Sequence, residues 1–277
     1  KRNYLPRLTS GEKLWAFGLT EPNAGSDSNN TETTAKLKDG RWIINGHKIY
    51  ITNISSPVSG GITVQAVTGE PGKGKKELSA ILVDRDTPGY IVEPILSKMM
   101  WRAADTGKAF FENVSVPEEN LLGERGQGAR IMLATLEGGR LSIAAMGLGL
   151  AQGAFEMAME YASKRIQFGR PVRSFQINTF KLADMAMKIE LARSLLYKAC
   201  RLKDQKLPFG KEAAMSKLYT SEIAREIVND ALQIHGAHGL MKWNPIERFY
   251  RDQRILEIGE GTSEILRLVI ARNLGIR

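Results

Sequence analysis

Residues 33–44 read Thr33-Thr34-Ala35-Lys36-Leu37-Lys38-Asp39-Gly40-Arg41-Trp42-Ile43-Ile44. Two short alternating runs meet at Asp39-Gly40, a pair that readily takes the positive φ angles of a two-residue hairpin turn, so antiparallel strands are predicted on either side. Outward from this hairpin the same grammar holds as far as Pro117. Trp15 to Thr20, Thr33 to Leu37, Arg41 to Ile44, Lys48 to Thr52, Ile62 to Val67, Ser79 to Val83, Tyr90 to Pro94 and Ala109 to Val116 read as strands. Turns are expected between them at Asn45-Gly46, Ser59-Gly60-Gly61 and Pro71-Gly72-Lys73-Gly74. After Gly126 the period changes to three and four. Gln127 to Lys164, Phe175 to Lys203, Lys211 to His238 and Thr262 to Asn273 read as helices, with a shorter helical stretch from Ile246 to Leu256. The expected fold class is therefore α and β multidomain: an antiparallel β-barrel or sandwich over residues 1–122, then an up-and-down α-helical bundle over residues 123–277.

Composition agrees with a packed globular chain. The 277 residues are 43% hydrophobic and 25% charged, which excludes a disordered or fibrous protein. The longest mostly apolar stretch, Leu141 to Phe155, is shorter than the roughly 20 residues of a spanning helix, so no membrane insertion is expected. The sequence opens Lys-Arg-Asn-Tyr-Leu, with neither an initiator methionine nor an apolar leader, and is expected to be a fragment or a processed product. Lysine and arginine number 39 against 30 acidic residues, a balance of +9 that suits an anionic ligand without choosing among nucleotide, coenzyme and nucleic acid. The single cysteine, Cys200, cannot form an internal disulfide and points to a reducing compartment and a buried thiol. His235 and His238 lie three apart and His47 is isolated, so no metal site is expected.

The segment richest in chemistry is Thr20-Glu21-Pro22-Asn23-Ala24-Gly25-Ser26-Asp27, directly after a strand. Pro22 fixes one dihedral and Gly25 frees another, so the loop can hold its amides and the Ser26 hydroxyl toward phosphate or ring heteroatoms; taken alone it is an ordinary turn. Tyr50-Ile51-Thr52-Asn53 and Glu260-Gly261-Thr262-Ser263-Glu264 follow it at long range. Further motifs are Arg165-Ile166-Gln167-Phe168-Gly169-Arg170-Pro171 with Gln176, Gln233-Ile234-His235-Gly236-Ala237-His238-Gly239, and Tyr250-Arg251-Asp252.

At these six motifs in order, the sequence resembles the acyl-CoA dehydrogenase family of flavoproteins, on its short- and medium-chain side. The resemblance runs from Tyr4 to Arg272 and finds no counterpart of the helical domain that the family places before its β domain. It implies α,β-dehydrogenation of an acyl-CoA thioester to a trans-2-enoyl-CoA: a carboxylate takes the α-proton and the β-hydrogen leaves as hydride to N5 of FAD. Glu260 falls on the family's base position, between Gly259 and Gly261; taken alone, it is a carboxylate ahead of a helix N-cap at Thr262 or Ser263. Some relatives put the base on an earlier helix, just before an arginine. Gly139, before Arg140, occupies that place here, so Glu137 is the alternative base.

The resemblance further implies that Phe17, Leu19, Thr20, Gly25, Ser26, Tyr50, Ile51 and Thr52 hold FAD, joined by Thr262, Ser263 and Glu264. Arg165, Phe168, Gln176, Gln233, Ile234, Gly236 and Ala237 match positions that reach the FAD of a neighbouring subunit, which implies a homo-oligomer, dimer or tetramer. Ser26, Glu137, Arg140, Gly259 and Gly261 match substrate positions; without the family, Glu137 and Arg140 read as a surface ion pair on one helix. Electron-transferring flavoprotein is the implied electron acceptor. Tyr50 stands where many relatives have tryptophan, Ala237 where they have glycine, and Met100 and Ala104 where they have glycine and serine. Gly259 replaces a tyrosine beside the base, which predicts a wider acyl cavity. A flavoprotein of the same fold that binds nucleic acid does not explain the carboxylate, and the basic residues are spread rather than clustered with aromatics. An oxidase or oxygenase of the same fold is a further alternative, distinguished by rapid reoxidation of the reduced flavin in air. A bacterial cytoplasmic enzyme is expected, with the mitochondrial matrix as the alternative.

Overall fold

The structure, a computed structural model, describes residues 1–69 and 75–276. The turn expected at Pro71-Gly72-Lys73-Gly74 lies outside the described residues. Two compact units emerge, one formed by residues 1–98 with 102–135 and the other by residues 99–101 with 136–277.

The first unit opens with a short helix α1 (Leu5–Thr9) and is otherwise a mixed sheet of eight strands. These are β1 (Leu14–Gly18), β2 (Thr34–Lys38), β3 (Arg41–Thr52), β4 (Ser59–Gly69), β5 (Glu77–Asp84), β6 (Tyr90–Pro94), β7 (Thr106–Pro117) and β8 (Leu121–Leu122). The spatial order is β6-β7-β3-β2-β4-β5-β8, with β1 paired to β4. The β2–β3 hairpin forms as expected, with Lys38 opposite Arg41 and both Asp39 (φ 50) and Gly40 (φ 70) in the left-handed region. Two details differ from the antiparallel barrel. Pairing of β4 with β1 and with β2 is parallel, and the order ends at β6 and β8 without closing among the described residues, which leaves the sandwich-like alternative.

Two glycine-bearing turns are also absent. Asn45-Gly46 sits inside the continuous strand β3, and Gly60-Gly61 inside β4. Both glycines serve close approach instead of chain reversal. A Cβ on Gly46 would lie 2.4 Å from Thr33 Oγ1, and one on Gly61 would lie 2.6 Å from the Trp15 ring, while Gly46 coincides with a register shift between β3 and β7. The core is Trp42, Ile44, Ile62, Val64, Ile81, Val83, Ala109, Phe111 and Val114, all buried.

The second unit is helical: α2 (Gly128–Lys164), whose first turns belong to the β unit, α3 (Gln176–Asp204), α4 (Gly210–His235), α5 (Pro245–Asp252) and α6 (Ser263–Asn273). Strands β9 (Ile166–Gln167) and β10 (Arg170–Pro171) form a small hairpin between α2 and α3. Ala144, Leu148, Ala151, Ala154, Ala158 and Ala162 line the buried side of α2, facing a core shared with Leu182, Met185, Ile189 and Leu196 of α3 and Ile223, Ile227 and Val228 of α4. Small residues at helical spacing let such helices pack closely. Among the described residues α2 alone is long and apolar enough to cross a membrane by length and composition, and 33% of its apolar window is buried in the structure.

Candidate active site

In the β unit, β1 delivers the chain into the loop at Thr20–Asp27. Glu21 and Ala24 exchange backbone hydrogen bonds at 3.1 and 3.2 Å, which closes the loop around Pro22 and leaves Gly25 and Ser26 exposed. A Cβ on Gly25 would meet nothing within 4 Å. Beneath the loop lies a buried ion pair: Lys48 Nζ, on β3, donates to Glu21 Oε1 at 2.6 Å and to the Leu19 carbonyl at 3.1 Å. Glu21 also accepts from the amides of Glu32 at 2.6 Å and Thr33 at 3.0 Å. Burial disfavours the Glu21 carboxylate, but Lys48 and these donors outweigh it and hold the carboxyl below its ordinary value. Burial pushes Lys48 down to about 8 against the pull of Glu21. Tyr50 is 67% exposed at φ 60, and Phe17 is half-buried. Ile51 and Leu19 point into the protein, so each has mainly its backbone to offer a ligand.

In the helical unit, Glu260 lies on the turn between Leu256 and α6 in the left-handed region at φ 56, followed by Gly261 at φ 94. Such backbone strain in a non-glycine residue gathers at functional positions. Thr262 caps α6 by accepting from the Ile265 amide at 3.3 Å, which fixes where the turn ends. Ser263 is buried with its hydroxyl unpartnered, and Glu264 is exposed in the first turn of α6. The Glu260 carboxylate lies against α2, where Gly139 makes room: a Cβ there would come within 2.9 Å of Glu260 Oε2. That oxygen is buried and has no hydrogen-bond partner. Burial raises the Glu260 pKa, with Lys217 and Arg140 opposing.

Arg140 is not the surface partner of Glu137. It is 5% exposed with its Nε unpartnered, whereas Glu137 is exposed and turns to the start of α4, where a Cβ on Gly210 would be 3.0 Å from Glu137 Oε1. The two candidate bases thus occupy different surroundings. The vacancy on α2 is taken by Glu260.

Farther along the bundle, Phe168 (φ 50) and Gly169 (φ 76) turn the β9–β10 hairpin, and Phe168 is 93% exposed. Arg165 and Gln176 are also exposed. Gln233 and Ile234 end α4; Gly236, at φ 57, caps it by donating to the Gln233 carbonyl, and Ala237 follows in an exposed turn. His235 is buried, stacked on Tyr161 at 4.6 Å, with Nδ1 2.8 Å from the Ala231 carbonyl. A cavity of about 420 Å³ opens beside this motif, lined by Tyr161, Arg165, His235, His238 and Trp243 among others.

Residues 16–114 match the family profile "Acyl-CoA dehydrogenase, middle domain", and residues 126–275 match "Acyl-CoA dehydrogenase, C-terminal domain". The chain belongs to the acyl-CoA dehydrogenase family. It is 50% identical to a probable acyl-CoA dehydrogenase, YngJ, of Bacillus subtilis, covering 99% of this chain and 72% of the relative. The butyryl-CoA dehydrogenase structure from Megasphaera elsdenii is 40% identical with a TM-score of 0.94, over 98% of this chain and 70% of that one. A chain in a structure described as the electron transferring flavoprotein of Acidaminococcus fermentans is 41% identical with a TM-score of 0.93, over 99% and 71%.

The dehydrogenase is FAD-dependent, as its family is, and its surfaces suit that cofactor. The open space at Gly25, the exposed Ser26 hydroxyl and the aromatic side chain of Tyr50 supply room, a donor and a ring face. Three groups escaped the sequence reading: Lys48, Lys217 and Tyr161. Both lysines occupy inward phases of their elements, beside Ile44 on β3 and beside Ala213, Ala214 and Thr220 on α4, and a charge in an apolar phase is the signal that marks them.

The space at Gly139 leads to a separable expectation. Gly139→Ala lies within a helix, where alanine ordinarily stabilises by about 0.5–1 kcal/mol. Its methyl group displaces the Glu260 carboxylate, so with Glu260 as the base proposed below kcat should fall by roughly 10- to 100-fold while the melting temperature holds or rises. Steady-state kinetics beside a thermal melt measure both.

Proposed function

We propose that this acyl-CoA dehydrogenase uses Glu260 as the base that removes the α-proton of a short acyl-CoA. The buried, unpartnered Glu260 Oε2 carries this assignment. A carboxylate whose oxygen lacks a donor keeps its lone pair for a substrate proton, and burial raises its basicity. As the α-proton passes to Glu260, the electron pair left behind forms the Cα–Cβ double bond and the β-hydrogen departs with its own pair. FAD, when bound, supplies the acceptor for that hydride. Phe17, Thr20, Gly25, Ser26, Tyr50 and Thr52 are the residues of the β unit that would hold it. Arg140, buried, favours the Glu260 anion, and Glu137 serves binding of the CoA moiety in this reading.

The outward surface of the second motif group supports an oligomer. Phe168, Ile166, Ile177 and Phe180 are exposed apolar side chains on the hairpin and the first turns of α3, and Arg165 is nearby in sequence. We assign this face, with Gln176 and Gln233–Ala237, to contact with a neighbouring subunit and its FAD. Electron-transferring flavoprotein is the proposed acceptor of the electrons.

Butyryl-CoA, the substrate in the name of one structural relative, is the first to try. At Gly259 a Cβ would meet nothing nearer than the Ile255 carbonyl at 3.5 Å and its side chain at 3.6 Å, so the position admits a side chain that the sequence omits. We expect kcat/KM for branched and linear acyl-CoA of equal length to agree within about 10-fold. Gly259→Tyr should restore a preference for the linear chain, and a strong linear preference in the unaltered enzyme would contradict the wider cavity.

A further inference from the structure

Lys217 is the most deeply enclosed charge of the helical unit. It projects from the middle of α4 among Ala213, Ala214, Ser216, Thr220 and Ser221, all buried, and is itself 0% exposed. An ammonium group so placed is costly unless something specific holds it. Its Nζ donates one hydrogen bond, 2.6 Å long, to the carbonyl of Gly261. Gly261 directly follows Glu260, and the two residues form the consecutive left-handed pair, φ 56 and φ 94, that turns the Glu260 side chain toward Gly139. The lysine is thus tied to the backbone of the very turn that presents the carboxylate.

The geometry points to Lys217 as a positioning residue for the base: it anchors the Glu260-Gly261 turn through the Gly261 carbonyl and sets a positive charge beside the Glu260 carboxylate. The inference rests on the assignment of Glu260 as the base. An apolar residue of similar length would fill the same space without either contribution, so the buried charge is not needed for packing. Charged groups that bear on Lys217 come from several neighbouring elements: Arg140 on α2, Glu257 before the turn, Glu260 on it and Glu264 on α6. Burial lowers Lys217 to about 8, with Glu260, Glu257 and Glu264 opposing and Arg140 assisting. Below that pH it carries its charge, and the charge favours the ionised form of Glu260.

The test uses the FAD-loaded enzyme, butyryl-CoA and an artificial electron acceptor, with kcat followed against pH. Lys217→Met removes both donor and charge; Lys217→Gln keeps an amide donor without charge, a milder variant should the first not fold; Lys217→Arg keeps the charge. In Met and Gln variants the acid limb of the kcat profile should move up by about one pH unit, because Glu260 loses a stabilising cation, and in Lys217→Arg it should stay. KM should change less than kcat. A purely structural lysine would lower the melting temperature without moving the acid limb, and that result overturns the inference. Glu260→Gln, run in parallel, separates the two readings: lost turnover there with an unmoved limb in the Lys217 variants leaves the base standing and removes the positioning role, whereas retained turnover removes both.

Discussion

Glu260→Gln is expected to lower turnover by roughly 10²- to 10⁴-fold while leaving FAD content unchanged. Glutamine preserves the shape of the side chain but cannot accept the α-proton at neutral pH. Glu260 lies at the left-handed turn before α6, and its fold is held by elements that do not use the carboxylate: the Thr262 cap and the Lys217 bond to the Gly261 carbonyl. The substitution also removes a buried carboxylate that has an oxygen without a partner, so stability should hold or rise. The pH dependence follows in sign. The folded-state pKa of Glu260 lies above the ordinary glutamate value, so the acid limb of kcat should fall above pH 4.5. Between the ordinary value and the raised one the folded protein binds the extra proton, so Glu260 stabilises the fold less as pH rises through that window. Glu137→Gln should instead raise KM with a small effect on kcat; the opposite pattern would move the base to Glu137.

The second large effect belongs to the β unit. Lys48→Met leaves the Glu21 carboxylate buried without its cation, and such a broken pair costs about 3–5 kcal/mol. The loss should register twice, in the urea midpoint and in retention of FAD, because the same lysine also holds the Leu19 carbonyl at the entry to the Gly25 loop. A double substitution, Lys48→Met with Glu21→Gln, is expected to recover much of the stability, since no uncompensated charge remains. Additive losses in the double variant would contradict the pair as described. Lys48 titrates near 8 in the fold, below the ordinary lysine value. Between those values the unfolded chain holds the proton and the folded chain does not, so this group makes stability rise with pH across that window.

How far these features were legible in the sequence follows from what each residue pattern encodes. Asp39-Gly40 announced its hairpin because the turn itself demands left-handed backbone at both positions. Asn45-Gly46 and Ser59-Gly60-Gly61 carried the same composition for another reason: Gly46 and Gly61 admit Thr33 and the Trp15 ring at distances no Cβ tolerates. Glycine reports a need for space or for unusual φ, and a single sequence does not say which. The parallel pairing of β4 with β1 and β2 was equally hidden, since alternation fixes faces and not partners.

At the site, Glu260 was singled out by its place in Glu260-Gly261-Thr262-Ser263-Glu264, and the structure adds its left-handed backbone and unpartnered oxygen. Lys48 and Lys217 were not singled out, because lysine is ordinarily a surface residue and only its phase on β3 or α4 reveals burial. The proposed roles of Glu260 and Glu137 came from the family resemblance, but their separate surroundings were not legible: these depend on Gly139 and Gly210, two glycines far apart in sequence from the carboxylates they accommodate.

The most direct test of the central claim is a single anaerobic mixing of FAD-loaded enzyme with butyryl-CoA, followed by visible absorbance. The unaltered protein should lose its oxidised-flavin band within one turnover, and Glu260→Gln should keep it. Equal bleaching in both would contradict the assignment of Glu260 as the base, and no bleaching in the unaltered enzyme with any acyl-CoA would contradict dehydrogenation itself.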